Sequence, residues 1–275
     1  MGEGPETFDL DAYFRRIGYD GPRAPTLETL SALHLLHPLA IPFENLDPLM
    51  HRPVRLDLAG LQEKLVRSRR GGYCFEHNRV FMAALDALGF SVSGLGARVL
   101  WGRADDAITP RSHMLLRVEM PEGTYLADVG FGGLTLTAPL RLEAGCEQRT
   151  PHETFRLEHE GGMWRLRAKV GEEWRSLFRF GLEEQLDVDY EVTSYFTSTN
   201  PGSPFRRTLA VARPAREGRR TLQNRRFRFR RSDGSEDVRE LTSAADIETV
   251  LREAFGIDVP DSAAFAAALR REAII

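Results

Sequence analysis

The stretch "RGGYCFEHN" at residues 70–78 gathers Arg70, two glycines, Cys74, Glu76, His77 and Asn78 into nine positions. A cysteine there can be a small buried hydrophobe, a metal ligand or a nucleophile. The glycine pair sets a flexible bend before a helix-patterned run, so Cys74 falls at or near a helix N-terminus. The partial positive charge of that terminus favours thiolate over thiol, which a purely structural cysteine does not need. Metal binding is disfavoured. The only other cysteine, Cys146, lies far off in the polar segment "EAGCEQRT", and no His/Asp set stands at ligand spacing.

A nucleophilic cysteine needs a base, and the base needs an orienter. His34 and His37 lie in an apolar helical stretch that suits core or capping roles. His77 follows Cys74 on the same helix and reads as a bystander, while His51, His152 and His159 lie in polar, loop-like surroundings. His113 opens the apolar strand "SHMLLRV", where an active-site base can stand at the mouth of a buried strand. Asp128 interrupts the apolar "TYLADVGFGG", and a carboxylate there is costly unless paired. The two are 15 positions apart. A hairpin loop over Glu119–Glu122 would set them directly opposite, whereas a turn on Glu122-Gly123 would set His113 opposite Gly132. The chain thus offers Cys74 as nucleophile, His113 to take its proton, and Asp128 to fix and charge-stabilise the imidazole.

These residues need elements to hold them. "DLDAYFRRIG", "TLETLSALHLLHPLA" (ending at Pro38), "DLAGLQEKLVRSRRGG" and "CFEHNRVFMAALDALGF" carry helical spacing. From "SVSGLGARVLW" to "EWRSLFRF" the runs are short and separated by turn residues, as in an antiparallel sheet or barrel. "RRFRFRRSDGSEDVREL" reads as a hairpin turning at Asp233-Gly234, with Phe227 and Phe229 inward and Arg228 and Arg230 toward water. "AADIETVLREAFG" and "DSAAFAAALRREA" read as terminal helices. The fold class is α+β: a helical part over 1–90, a β part over 91–205 and a smaller α/β part over 206–275.

The chain has 275 residues, 42% hydrophobic and 28% charged, with a net charge of -3. That describes a globular protein with no general affinity for nucleic acid or membrane. Of 37 basic residues only Lys64 and Lys169 are lysines, which reads as codon bias. Two distant cysteines and an acidic start without an apolar run point to the cytoplasm. Gly2 lacks the Ser or Thr at position 6 that acylation wants.

Five blocks carry a resemblance: "LHLLHPLAIPFENLD" (33–47), "RGGYCFEHN" (70–78), "SHMLLRV" (112–118), "LADVGFGG" (126–133) and "STNPGSPF" (198–205). In order and spacing they resemble the arylamine N-acetyltransferases. The resemblance implies a helical bundle, a β-barrel and an α/β lid around a cysteine-protease-like Cys-His-Asp core. It implies ping-pong acetyl transfer from acetyl-CoA as cosubstrate to an arylamine, hydrazine or arylhydroxylamine; no metal is expected, and a homodimer is left open.

By the same resemblance Phe43, Val99, Phe131 and Phe205 line the amine pocket, with Val99 replacing a bulky aromatic of some members. Thr109, Ser112 and Gly132 are implied CoA contacts, and Pro110 stands where members carry glycine. Between Arg206 and Arg231 stand eleven arginines and one acid, Glu217, which suits CoA phosphates or a solvated face. Arg70, Glu76 and Asn78 read as the frame of the nucleophile, and Cys146 as incidental. Rival readings are an amide synthase closing a macrolactam from a polyketide thioester, a transglutaminase- or protease-like hydrolase, and an inactive binding module.

Overall fold

The computed structural model describes residues 8–275, so the reading at Gly2 lies outside the described residues. α1 (Leu10–Ile17) is capped by Asp9, whose carboxylate accepts the Ala12 amide, and it ends at Gly18 with φ 70°. That left-handed cap costs glycine little. α2 (Leu27–Ala40) begins after Thr26 but continues through Pro38 instead of ending there. Pro38 lies in the last turn, so only the carbonyl four residues earlier loses its donor, and Ile41 N–H closes the helix on His37 O at 2.8 Å.

β1 (Phe43–Glu44), α3 (Leu46–Leu49) and α4 (Leu58–Leu61) follow; α4 widens into π-type turns over 62–67. α5 (Cys74–Ala87) buries Phe75, Val80, Phe81, Ala84 and Leu85. They join Tyr13, Phe14, Leu30, Leu33 and one face of the next sheet, Met114, Leu116 and Val118, in a first core.

The second layer is an antiparallel, nearly closed barrel of β2 (Ser91–Val99), β3 (Arg111–Met120), β4 (Gly123–Ala127), β5 (Leu140–Arg141), β6 (Glu147–Arg149), β7 (Thr154–Glu160), β8 (Met163–Val170) and β9 (Glu173–Glu184). The strand order is β5-β4-β3-β2-β9-β8-β7-β6. Gln148 laces the two edge strands, accepting the Arg141 N–H and donating to Arg141 O, both at 2.8 Å. Alternate residues such as Leu95, Leu115, Leu157, Leu166 and Phe178 fill the interior.

The β3–β4 register pairs Leu116 with Ala127 and Met120 with Gly123. The turn is therefore Pro121-Glu122, neither of the two registers the sequence allowed. Asp128 lies just past the ladder, a diagonal rather than a direct neighbour of His113. A shift of two positions preserves the face, which is why the pair still meets.

After α6 (Asp187–Thr199) and α7 (Pro204–Arg207), the strands β10 (Ala210–Ala215), β11 (Gly218–Gln223), β12 (Arg226–Arg231) and β13 (Glu236–Glu240) form a second antiparallel sheet. β1 joins its edge, with Phe43 opposite Ala212. α8 (Ala244–Val250) and α9 (Ser262–Arg271) cover it; Leu46 and Leu49 of α3 share this core with Phe227, Phe255 and Phe265. The hairpin turns one residue earlier than read, at Ser232-Asp233 with Gly234 (φ 88°) following, and Arg230 binds Glu153 at 2.7 Å rather than facing water. No described helix is long and apolar enough to cross a membrane.

Candidate active site

The two glycines before Cys74 form no flexible bend. A Cβ on Gly71 would lie 1.9 Å from Pro42 O. Glu44 N–H bonds Gly72 O at 2.8 Å, and Gly72 pairs with Phe43 in a parallel bridge. Glycine is required here because two backbones touch. Neither residue has a positive φ.

Charged side chains hold the same loop from beneath. Arg70 Nε and Nη2 donate to Glu44 Oε1 at 2.9 and 2.6 Å. Lys64 Nζ bridges Asp47 Oδ2 at 2.6 Å and Glu76 Oε1 at 2.7 Å. Glu76 Oε2 accepts the Tyr73 N–H at 3.0 Å, satisfying an amide at the start of α5. Burial works against the charge on Lys64, yet Glu76, Glu44 and Asp47 together hold its pKa above the ordinary value.

Cys74 is the first residue of α5 and is 4% exposed. Its thiol donates to Ser112 O at 3.7 Å and interacts with the neighbouring His113 ring. His113 Nε2 donates to Asp128 Oδ2 at 2.7 Å, which leaves Nδ1 for the sulfur. Asp128 is fully buried and every oxygen is engaged. Oδ1 accepts Asn78 Nδ2 at 3.0 Å and Gly130 N–H at 2.9 Å. Burial would raise the Asp128 pKa; the His113 charge and these hydrogen bonds hold it below the ordinary value. Burial likewise opposes charge on His113, but the Asp128 charge and hydrogen bond, with Cys74, push its pKa up to about 10.

Three supports went unread in the sequence. Asn78, read as a frame for the helix, instead grips Asp128 and its surroundings, donating also to Met114 O at 2.8 Å and accepting Val129 N–H at 3.1 Å. His34 accepts the Asp128 N–H at 3.0 Å. A Cβ on Gly130 would lie 2.9 Å from Cys74 Cα, so that glycine allows the Asp128 turn to lie against Cys74. Each contact spans dozens of residues, and no local pattern signals it.

The aromatic residues meet in two groups. Phe131 and Phe178 flank the His113 ring at 5.2 and 5.0 Å, and Phe178, unread from sequence, pairs with Val99 across β2–β9. Phe43 lies 6.2 Å from Phe205 and stacks on His77 at 6.4 Å. Gly132 has φ 87° and faces the Phe43 ring. Thr109 Oγ1 donates to its own chain at Val99 O (3.0 Å), so its hydroxyl is already engaged; Ser112 turns its carbonyl to Cys74. Several C-terminal arginines are engaged internally: Arg213 on Leu39 O and Phe255 O, Arg219 and Arg230 on Glu153. Cys146 is half-buried beside Glu143 O.

His77 belongs to a buried chain. Since Pro42 O can only accept, His77 Nε2–H donates to it at 3.1 Å, His37 Nε2–H donates to His77 Nδ1 at 2.9 Å, and Tyr13 O–H donates to His37 Nδ1 at 2.9 Å. Burial pulls the pKa of His34 and of His77 down to about 4. The unfolded chain therefore takes up protons first as pH falls. Stability is full above about pH 6.5 and falls toward pH 4, by about 3 kcal/mol for each ring. Urea unfolding at stepped pH should show this slope, and His77→Gln should flatten it; equal slopes would contradict it.

A family model described as N-acetyltransferase matches residues 26–264. The arylamine N-acetyltransferase of Mycolicibacterium smegmatis is 46% identical over 259 residues, covering 93% of this chain and 94% of that protein. The solved structure of the Mycobacterium marinum arylamine N-acetyltransferase superposes with a TM-score of 0.92 at 42% identity, covering 96% of this chain and 99% of that one. The same enzyme in complex with CoA gives a TM-score of 0.92 at 41% identity, with the same coverage of both chains.

Proposed function

The chain belongs to the arylamine N-acetyltransferase family, and on that premise we propose that it moves an acetyl group from acetyl-CoA, through a thioester on Cys74, to the nitrogen of an arylamine, hydrazine or arylhydroxylamine. The observation that carries this reading is the buried His113–Asp128 pair, 2.7 Å across, beside a cysteine at a helix N-terminus.

Cys74 gives its proton to His113 Nδ1 and attacks the acetyl carbonyl. The C–S bond to CoA breaks, and the departing CoA sulfur takes the proton from His113. Thioester exchange between two thiols is nearly neutral in free energy, so an activated sulfur is the main requirement. In the second half the amine, largely unprotonated at neutral pH, attacks the Cys74 thioester. His113 accepts the amine proton and returns it to the Cys74 sulfur as the amide departs. Asp128 holds the imidazole in one tautomer throughout.

Phe43, Phe131 and Phe205 supply apolar surface for the aromatic ring, with Val99 at the barrel rim. For CoA, Gly132 and the backbone at Ser112 and Thr109 are our contact assignments. The three parts 1–90, 91–205 and 206–275 are taken as bundle, barrel and lid, and the cytoplasm as the working compartment. The names of the relatives favour this transferase over the amide synthase and the hydrolase.

The test is CoA release. Acetyl-CoA alone should yield one CoA per chain and then stop, and adding members of a panel of arylamines and hydrazines should restart turnover. Steady release without amine would favour the hydrolase, and no initial release would overturn acetyl-CoA as donor.

A further inference from the structure

The glycine-rich turn after Asp128 is closed by one residue. Thr135 Oγ1 donates to Asp128 O at 3.2 Å and accepts the Phe131 N–H at 3.3 Å, while Thr135 N–H bonds Gly132 O at 3.1 Å. Phe131, Gly132 and the Asp128 carbonyl are thus set by where Thr135 sits.

Thr135 is itself held from the C-terminal sheet. Arg219 of β11 donates from Nη2 to Thr135 O at 2.9 Å. Its side chain is 4% exposed and forks onto Glu153, with Nε at 2.8 and 2.9 Å from the two carboxylate oxygens and Nη2 on Oε2. Glu153 also receives Arg230 Nη2 from the neighbouring strand β12. Thr221 of β11 lies where a Cβ on Gly133 would reach, 3.6 Å away, so the strand backs the turn directly. A second clasp lies alongside, with His152 Nε2 donating to Ala215 O at 2.7 Å.

A guanidinium with this burial and two partners on different elements is costly to desolvate, and only a rigid fork reaches both partners at once. We propose that Arg219 is a positioning residue: it fastens the 131–135 turn to the C-terminal sheet, so that Phe131 and Gly132 meet the incoming acyl donor in register with His113. This rests on the acyl-transfer reading above. It also gives the C-terminal sheet a role in donor selection rather than in the chemistry of Cys74.

The experiment uses the full chain with two readouts, acylation of Cys74 at stepped acetyl-CoA concentrations and alkylation of Cys74 by iodoacetamide. Wild type is measured first; if acetyl-CoA leaves it unacylated, the function itself fails and not this inference. Given wild-type acylation, Arg219→Met should raise the acetyl-CoA concentration for half-maximal rate about tenfold, the scale of one misplaced polar contact to the donor. Its alkylation should stay at the wild-type rate, because iodoacetamide needs no turn to bind it. Arg219→Lys keeps the charge beside Glu153 but cannot fork, so it should recover melting temperature while keeping the altered donor dependence; it decides the matter if the Met variant does not fold. A fall in melting temperature with unchanged donor dependence would reduce Arg219 to a structural tie. A parallel loss of alkylation would overturn the proposal as well.

Discussion

Wild-type protein incubated with acetyl-CoA and no amine is expected to gain one acetyl group by intact mass, and Cys74→Ala is expected to gain none. Cys74 is the one thiol that faces an imidazole; Cys146 is half-buried beside a backbone carbonyl, with no base among its partners. The effect is all or nothing because alanine offers no atom to carry the acyl group. Cys146→Ala is the control and should acylate as wild type does. An acetyl group on Cys74→Ala would move the chemistry elsewhere.

Asp128→Asn is expected to slow acylation by about 10³- to 10⁴-fold while leaving the fold intact, the scale of a misoriented base. The amide has no good orientation here. With its oxygen toward His113 Nε2–H, its NH₂ meets Asn78 Nδ2 and the Gly130 N–H, both donors. Flipped, it offers NH₂ to His113 Nε2 and forces the tautomer that points N–H at the sulfur. The negative charge is gone in either case, so burial pulls His113 down from about 10 and it ceases to hold a proton at neutral pH. Iodoacetamide reads this independently of acetyl-CoA. At neutral pH wild type should be alkylated faster than the variant, because the Asp128 charge keeps a proton on the His113 ring beside the sulfur. A variant within tenfold of wild type would sink the role given to Asp128.

Much of the site was legible in one dimension because chemistry restricts residue types. A cysteine after two glycines marks a helix start, and a histidine at the head of an apolar strand and an aspartate inside another are costly unless paired. Helix and strand periods also placed the elements. The errors cluster where a second segment decides. α2 runs past Pro38 because one lost hydrogen bond in a last turn is cheap. The glycines of "RGG" read as flexible, since no sequence shows that Pro42 O presses on Gly71. Arg230 alternates outward in β12, yet Glu153 of the barrel is its partner.

By itself the sequence determined the chemistry available and the order of a helical, a β and a mixed part; for an even-length loop it also allowed His113 and Asp128 to share a face. That shared face needs a loop of even length, because side chains alternate every residue. The tertiary structure decided what parity cannot: the Pro121-Glu122 register, the grip of Asn78 and His34 on Asp128, and the tie from Arg219 to Thr135. Those contacts join residues 50, 94 and 84 positions apart. Each exists only because packing of three cores brings the chains together, and a buried donor or acceptor must then find whichever partner lies within reach.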